Sequence, residues 1–558
     1  MGSEKVIKEL AKITANPNIN EDMLTAINLG IAEGCCRNGD IEDGMALYEQ
    51  IAQASSKNII SSEFIEKIRN LAEQLFLNKK YTNALIQYKR ILSLTELSAK
   101  EYLNTAICLI ELDQNQAAVK FLRKHEEQEP NKETAYGTLG EIFGLRLKMY
   151  PEAISCLEKY IQTNQENALA YNTLGHFYSA YYVDEFLEKQ LDCFLKANKI
   201  FPNSPLYVRN IIYVYDRLGD AENTEKYYQK LFKLNPIHFD YYNYGCFLIQ
   251  QGNFTEGYKY YEHRFFVKER PLKYPDWLDE NKRLKSCENI SDKTLLVFHD
   301  SGYGDTITYI RYMEQFKKLA KKVILFIPEK LISLFKASGV DVEMHSMTDD
   351  LTELDYDYNV PMLDLPRYVG ATPETIPNAD GYLQVSQEKI DAYKTKYLKD
   401  SSKMKIGISY CANPEYNNIT NRDIPLAFFY PLTKLQNVEV YSFQVADAAN
   451  QINNLPQDVE IIDLSATFKD FEDTSSAMMN MDLIISTDNV ILNLAGALGI
   501  KTIGLFNRFP ETRWFKTTGE DVGWYKSVKP YKAEKFNGWH ELLKKVVEDL
   551  SKNQGLYS

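Results

Sequence analysis

Through the first half of this chain a small or helix-compatible residue returns at a nearly fixed interval. The positions are Ala32, Ala72, Ala106, Gly140, Gly175 and Gly245, with Ile212 in the sixth of seven slots, and the spacings are 40, 34, 34, 35, 37 and 33 residues. A second such residue follows each one about twelve positions later. This period confines the chain to units of supersecondary size, which cannot bury an apolar face alone and must stack on their neighbours. The small residues let the two helices of a unit approach closely. Aromatic and leucine positions fill the seam, and a proline ends the second helix. The expected product is a helical superhelix with a concave groove.

The interval centres on that of the tetratricopeptide repeat, about 34 residues. In the best-formed unit Tyr102, Ala106, Leu109, Ala118, Leu122 and Pro130 fall where that repeat wants them. Tyr171, Leu174, Gly175, Tyr178, Phe194, Ala197 and Pro202 repeat the pattern around a small insertion near Tyr181 to Phe186. Repeats of this kind expose extended surfaces, which favours peptide or protein binding over a mere spacer. The last unit, with Gly245, Gly257, Tyr261 and Arg264, runs into Phe265 and Phe266. The repeats are therefore assigned to 1–267, and a charged connector with Pro271, Pro275 and Trp277 to 268–292.

With 558 residues, 44% of them apolar, the chain can bury several cores. A formal net charge of −13 without a long basic run argues against nucleic acid as a partner. No window of about 18 uninterrupted apolar residues occurs, and Met1 to Asn16 lacks a signal-peptide core, so no transmembrane segment and a cytoplasmic location are expected. The eight cysteines show no zinc spacing and are expected to be reduced packing residues. Of the seven histidines only His299 lies near the glycine turn described next, and strand-end packing accounts for it.

From Thr294 the periodicity changes. Short β-rich runs occur at Thr294 to Phe298, Val323 to Ile327, Tyr358 to Met362, Lys405 to Tyr410, Val438 to Phe443, Val459 to Leu464, Leu483 to Ser486 and Thr502 to Phe506, most of them separated by stretches of helix length. This predicts parallel α/β sheets in two Rossmann-like lobes, at 293–378 and 403–530, joined by a linker at 379–402 and followed by a C-terminal helix at 531–558. Ligands of such sheets sit at the carboxyl ends of the strands. Two turns fall there. Gly302-Tyr303-Gly304-Asp305 precedes a helix expected over Thr306 to Leu319, and Ser486-Thr487-Asp488-Asn489 opens a helix over Val490 to Leu498. Asp305 and Asp488 read either as helix caps or as site carboxylates beside free backbone N–H groups.

Several short motifs then carry a resemblance. Trp277, Gly302 to Ile307 with Arg311-Tyr312, Pro361 to Pro366, Arg422, Ser442 to Gln444, Asp473-Thr474, Asp482 to Asp488, Leu494 to Gly499, Arg513-Trp514 and Trp524-Tyr525 occur in order. Together they resemble bacterial tetratricopeptide-repeat proteins with a heptosyltransferase-like domain, related to glycosyltransferase family nine. The resemblance implies a metal-independent GT-B fold, with two facing Rossmann lobes and a nucleotide sugar held mainly by the second. It also implies inversion at the anomeric carbon and, for members with repeats, transfer to proteins such as flagellin. By position Asp305 corresponds to the general base. Asp488, Asn489 and Asn493 correspond to the nucleotide-sugar segment, and Arg422 and Gln444 to polar contacts in the same lobe. Where relatives carry a histidine this chain has an asparagine, and the relatives' glutamate before the glycine turn is Asp300.

The chemistry this implies needs donors for a departing diphosphate and one base for an acceptor hydroxyl. Asp305 is the expected base. Gly302, Gly304, Arg422, Gln444, Asp488, Asn489, Asn493 and Arg513 are the expected nucleotide-sugar contacts. The nucleotide sugar serves as co-substrate, with no other cofactor and no metal, and a protein acceptor is expected at the repeat groove. Asp355-Tyr356-Asp357 has the spacing of a metal-binding pair but reads as a solvated loop. A catalytically impaired scaffold, suggested by Asn489 and Asn493, is the alternative. Transfer to a carbohydrate or lipid-linked acceptor, with the repeats recruiting a partner enzyme, is a third reading.

Overall fold

The computed structural model describes residues 62–129, 133–181, 186–267, 275, 278–285, 290–350, 354–399, 402–412, 422–511, 513–515 and 519–552, with Met23, Ile27, Gly30 and Ile31. Two compact units emerge, Met1–Tyr182 with Glu188–Pro202, and Val183–Leu187 with Asn203–Ser558. The division falls inside the repeats, so the last repeat helices belong to the same unit as the α/β part.

The first unit contains α1 (Ser62–Leu77), α2 (Tyr81–Leu94), α3 (Ala99–Glu111), α4 (Asn115–Gln128), α5 (Glu133–Glu141), α6 (Tyr150–Thr163), α7 (Ala168–Tyr181) and α8 (Leu187–Ile200). Successive helices pair as the repeat period requires. Ala106 and Ala118 are fully buried across the α3–α4 seam, with Leu109 and Leu122 beside them. The small slots are set by distance: a β-carbon on Gly140 would stand 2.7 Å from Leu157 Cγ, and one on Gly175 would stand 2.5 Å from Phe194 Cε1. A capping box starts α3, in which Ser98 and Glu101 exchange hydrogen bonds. Ala32, Pro130, Trp277, Cys35 and Cys36 lie outside the described residues. Cys108, Cys156, Cys193, Cys246 and Cys411 are buried thiols.

The second unit opens with α9 (Pro205–Leu218), α10 (Ala221–Leu231), α11 (His238–Gln250) and α12 (Phe254–Tyr261). Ile212 fills its slot inside a cluster with Val208, Tyr228 and Leu231, where a larger residue is accommodated. Two parallel sheets follow. The first has the order β3-β2-β1-β4, with β1 (Thr294–Phe298), β2 (Lys322–Ile327), β3 (Glu343–Ser346) and β4 (Tyr358–Pro361). The second has the order β10-β9-β8-β5-β6-β7, with β5 (Met404–Ser409), β6 (Val438–Ser442), β7 (Ile462–Asp463), β8 (Leu483–Thr487), β9 (Thr502–Phe506) and β10 (Val528–Lys532). Counted along the chain, the second order is that of a doubly wound dinucleotide-type sheet. Strands β3 and β10 were not expected from sequence, and of the run Val459 to Leu464 only Ile462 and Asp463 pair.

Helices α13 (Tyr303–Tyr309), α14 (Met313–Leu319), α15 (Glu329–Ala337) and α16 (Leu365–Tyr368) accompany the first sheet. Helix α17 (Gln387–Tyr397) lies in the stretch between the sheets, and α18 (Phe471–Met478), α19 (Val490–Ala497) and α20 (Trp539–Lys552) accompany the second. The central strands are buried on both faces, as parallel strands covered by helices must be. Leu295 and Val297 of β1 face one cluster, and Leu296 and Phe298 face another. The first of these clusters also takes in Ile249, Phe254 and Tyr258 from the last repeat helices and Ile484, Leu492 and Leu494 from the second sheet's side, so one continuous core spans all three.

Candidate functional site

Each sheet reverses its winding at one place, between β1 and β4 in the first and between β5 and β8 in the second. Crevices open at such switch points, beyond the carboxyl ends of the strands. The Gly302 turn follows β1 and the Asp488 turn follows β8, so both sequence-selected turns stand at switch points.

The first turn is tighter than the sequence suggested. Helix α13 starts at Tyr303, with Gly302 as its N-cap, which puts Gly304 and Asp305 inside its first turn. Asp305 Oδ2 accepts from Ser301 Oγ at 2.7 Å and from the Gly302 backbone N–H at 3.1 Å. That N–H therefore already has a partner. Gly304 is needed for close approach, since a β-carbon there would stand 2.9 Å from Asn493 Nδ2 on α19. His299 Nδ1 lies 2.6 Å from Thr306 Oγ1. Burial pushes its pKa down to about 4, so it is neutral at neutral pH.

In the second turn Asn489, rather than Asp488, caps the helix. Its Oδ1 accepts from the N–H groups of Ile491 and Leu492, and its Nδ2 donates to Ser409 Oγ at 2.8 Å and to the Cys411 carbonyl at 3.2 Å. The asparagine thus ties α19 to the end of β5, and its amide is spent inside the fold. Asn493 behaves likewise. It donates to the Asn489 carbonyl at 3.0 Å and accepts from Thr308 Oγ1 at 3.0 Å, in contact with the Tyr525 hydroxyl. Gln444 Oε1 accepts from the Tyr410 and Cys411 N–H groups at 3.1 and 2.9 Å, closing the loop after β5. All three residues, expected as ligand contacts, hydrogen-bond to neighbouring parts of the fold.

The charged residues converge. Arg513, from the segment after β9, forms an ion pair with Asp305 Oδ1, and its Nη2 meets Glu511 Oε2 at 3.0 Å. Glu511 Oε1 lies 3.3 Å from Arg422 Nη1, which also stands 3.8 Å from Asp488 Oδ2. Two guanidinium groups thus face three carboxylates drawn from both sheets. Asp488 is 4% exposed, and among the described residues neither of its oxygens accepts a well-formed hydrogen bond, although the Trp514 indole is close. Burial raises its pKa, Arg513 and Arg422 pull it back, and Glu511 pushes it up again. Sequence reasoning passed over Glu511, whose only signal is its place two residues before the Arg513-Trp514 motif.

A second ionic group supports the first turn. Arg264, from the one-turn 3-10 helix after α12, is 1% exposed and donates at 2.6 Å to both Asp300 and Asp364. Asp300 also accepts from the Leu363 N–H at 3.1 Å, and Arg283 Nη2 meets Asp364 at 3.1 Å. Asp300 follows β1 and Asp364 follows β4, so a repeat arginine bridges the ends of the two strands that flank the switch point of the first sheet. Burial lifts the Asp300 pKa to about 6 against the pull of Arg264. Arg311 donates to the Trp524 carbonyl at 2.8 Å, and Thr308 Oγ1 stands 2.9 Å from the Tyr525 hydroxyl, which joins the two lobes. Asp357 accepts from the Thr294 N–H at 2.7 Å, a strand-end contact. Among the described residues no group of three or more His, Cys, Asp or Glu side chains could hold a metal ion, and no helix is long and apolar enough to cross a membrane.

No family model matches the chain. Protein FlbA of Caulobacter vibrioides is 22% identical over 436 residues, covering 72% of this chain and 70% of that protein. Among solved structures, MamA of Desulfovibrio magneticus RS-1 is 24% identical over 30% of this chain and 94% of its own, with a TM-score of 0.27. The C-terminal part of a tetratricopeptide-repeat protein of Cytophaga hutchinsonii is 14% identical over 43% of this chain and 95% of its own, with a TM-score of 0.34.

Proposed function

We propose that the α/β part is a GT-B type, metal-independent, inverting glycosyltransferase, and that the repeats recruit a protein acceptor, flagellin-like or other, to it. The observation that carries the proposal is the meeting of Asp305, from the switch-point turn of the first sheet, with Arg513 of the second beside Arg422 and Asp488. In this reading Arg422 and Arg513 take the charge of the departing diphosphate, as preorganised donors do. Asp305 accepts the acceptor's proton once its oxygen attacks the anomeric carbon. Asp488, buried among hydrogen-bond donors too few to satisfy it, receives hydroxyl groups of the nucleotide sugar rather than its phosphates, because two like charges in one desolvated site repel. Intact-mass analysis of candidate acceptor proteins co-expressed with the chain tests this. A mass increment of one or more sugars is expected with the natural chain and none with Asp305→Ala. Equal modification by the variant refutes the base assignment.

A scaffold without transferase activity is the second reading. The engagement of Asn489 and Asn493 inside the fold favours it. It requires that no nucleotide sugar bind.

A further inference from the structure

Glu511 shares its two carboxylate oxygens between the two guanidinium groups of the site, Arg513 Nη2 at 3.0 Å and Arg422 Nη1 at 3.3 Å. The arginines come from different loops of the second sheet and meet on this one side chain. Two guanidinium groups converging on one anion is the arrangement by which proteins recognise phosphate and diphosphate. The carboxylates around it differ in freedom. The Asp488 side chain is 5% exposed and that of Asp305 12%, whereas that of Glu511 is 33% exposed. Glu511 can therefore turn into water and recover its hydration, while the other two would stay desolvated. Among the described residues, Arg513 Nε, Trp514 Nε1 and both Asp488 oxygens are buried without a well-formed hydrogen bond, the Trp514 indole lying close to Asp488, so these side chains retain bonding capacity.

We propose that Glu511 is an internal stand-in for the ligand's diphosphate. It holds Arg422 and Arg513 in place and is displaced when a diphosphate engages both. This rests on reading the site as one for a nucleotide sugar. The stand-in also sets specificity. A ligand must outbid a carboxylate already bound to two cations, which a diphosphate can do with more charge and more acceptor oxygens than a monophosphate. Glu511 thus discriminates against monophosphates and against weak anions of the cell.

Calorimetric titration of the full-length chain with inorganic pyrophosphate and with inorganic phosphate tests this on the natural protein, Glu511→Gln and Glu511→Ala. Glutamine keeps the shape and removes the charge, and alanine removes both. Both variants are expected to bind pyrophosphate about tenfold tighter, the scale of one charge-assisted contact, and to gain at least as much for phosphate, so that the preference for pyrophosphate narrows. Unchanged or weaker pyrophosphate binding in both variants, with measurable binding to the natural chain, overturns the stand-in and leaves the nucleotide-sugar reading standing. No pyrophosphate binding to any of the three overturns both.

Discussion

At the scale of single residues, the site is defined by which side chains are already committed. Asn489, Asn493 and Gln444 were picked out as polar residues at positions the resemblance marks, but sequence does not show whether an amide faces a ligand or the fold. Their partners, the Cys411 carbonyl, Thr308 and the Tyr410 N–H, come from segments between 34 and 185 residues away. Asp305 was legible as a carboxylate in the turn after β1, but the sequence left open whether it caps the helix or serves a site, and its partner Arg513 lies 208 residues on. His299 gives a prediction with a definite sign. Its pKa is about 4 in the fold and near 6.5 unfolded, so the unfolded chain binds the extra proton between those values. His299 by itself should lower stability by about 3 kcal/mol as pH drops from 7 to 4, whereas Asp300, whose pKa is raised, works in the opposite sense over the same range. Chemical denaturation should show the stability difference between His299→Gln and the natural chain move by this amount in the variant's favour from pH 7 to pH 4. Gly304→Val is expected to lower thermal stability more than Gly304→Ala, since any side chain there meets Asn493 on the opposing helix.

At the scale of elements, the repeat helices and most strands could be read because their periods are long and regular. Strand β10 escaped notice because Val528-Lys529-Pro530-Tyr531-Lys532 is short, charged and broken by a proline, which is tolerated there because β10 is an edge strand. Helix α13 began three residues earlier than expected because Gly302 and Asp305 form the cap between them. The link from the last repeat to the first sheet was invisible in sequence, since Arg264, Asp300 and Asp364 acquire meaning only as a buried triad. Removing one partner of a buried ion pair strands the others. Arg264→Met should therefore cost about 3–5 kcal/mol, and Arg264→Lys should recover only part of it because lysine cannot span both carboxylates in the same geometry. Equilibrium urea unfolding of the two variants checks the order.

At the scale of the whole molecule, the second compact unit holds the last repeat helices and both sheets around one continuous core. Trp524 is central to it, stacked 5.4 Å from Phe254 of α12 and hydrogen-bonded through its carbonyl to Arg311. The two lobes should consequently unfold in one transition followed by tryptophan fluorescence, and Phe254→Ala should shift that transition by about 3–5 kcal/mol. Two separate fluorescence transitions would mean that the lobes are independent. The central claim, that the meeting of the two switch-point turns makes a nucleotide-sugar site, is tested most directly by thermal denaturation of the full-length chain against a panel of nucleotide sugars. A donor present at about 100 times its Kd should stabilise the chain by about 2.7 kcal/mol, and Asp305→Ala should retain most of that shift. A melting temperature unmoved by every donor in the panel would contradict the account and leave a binding scaffold.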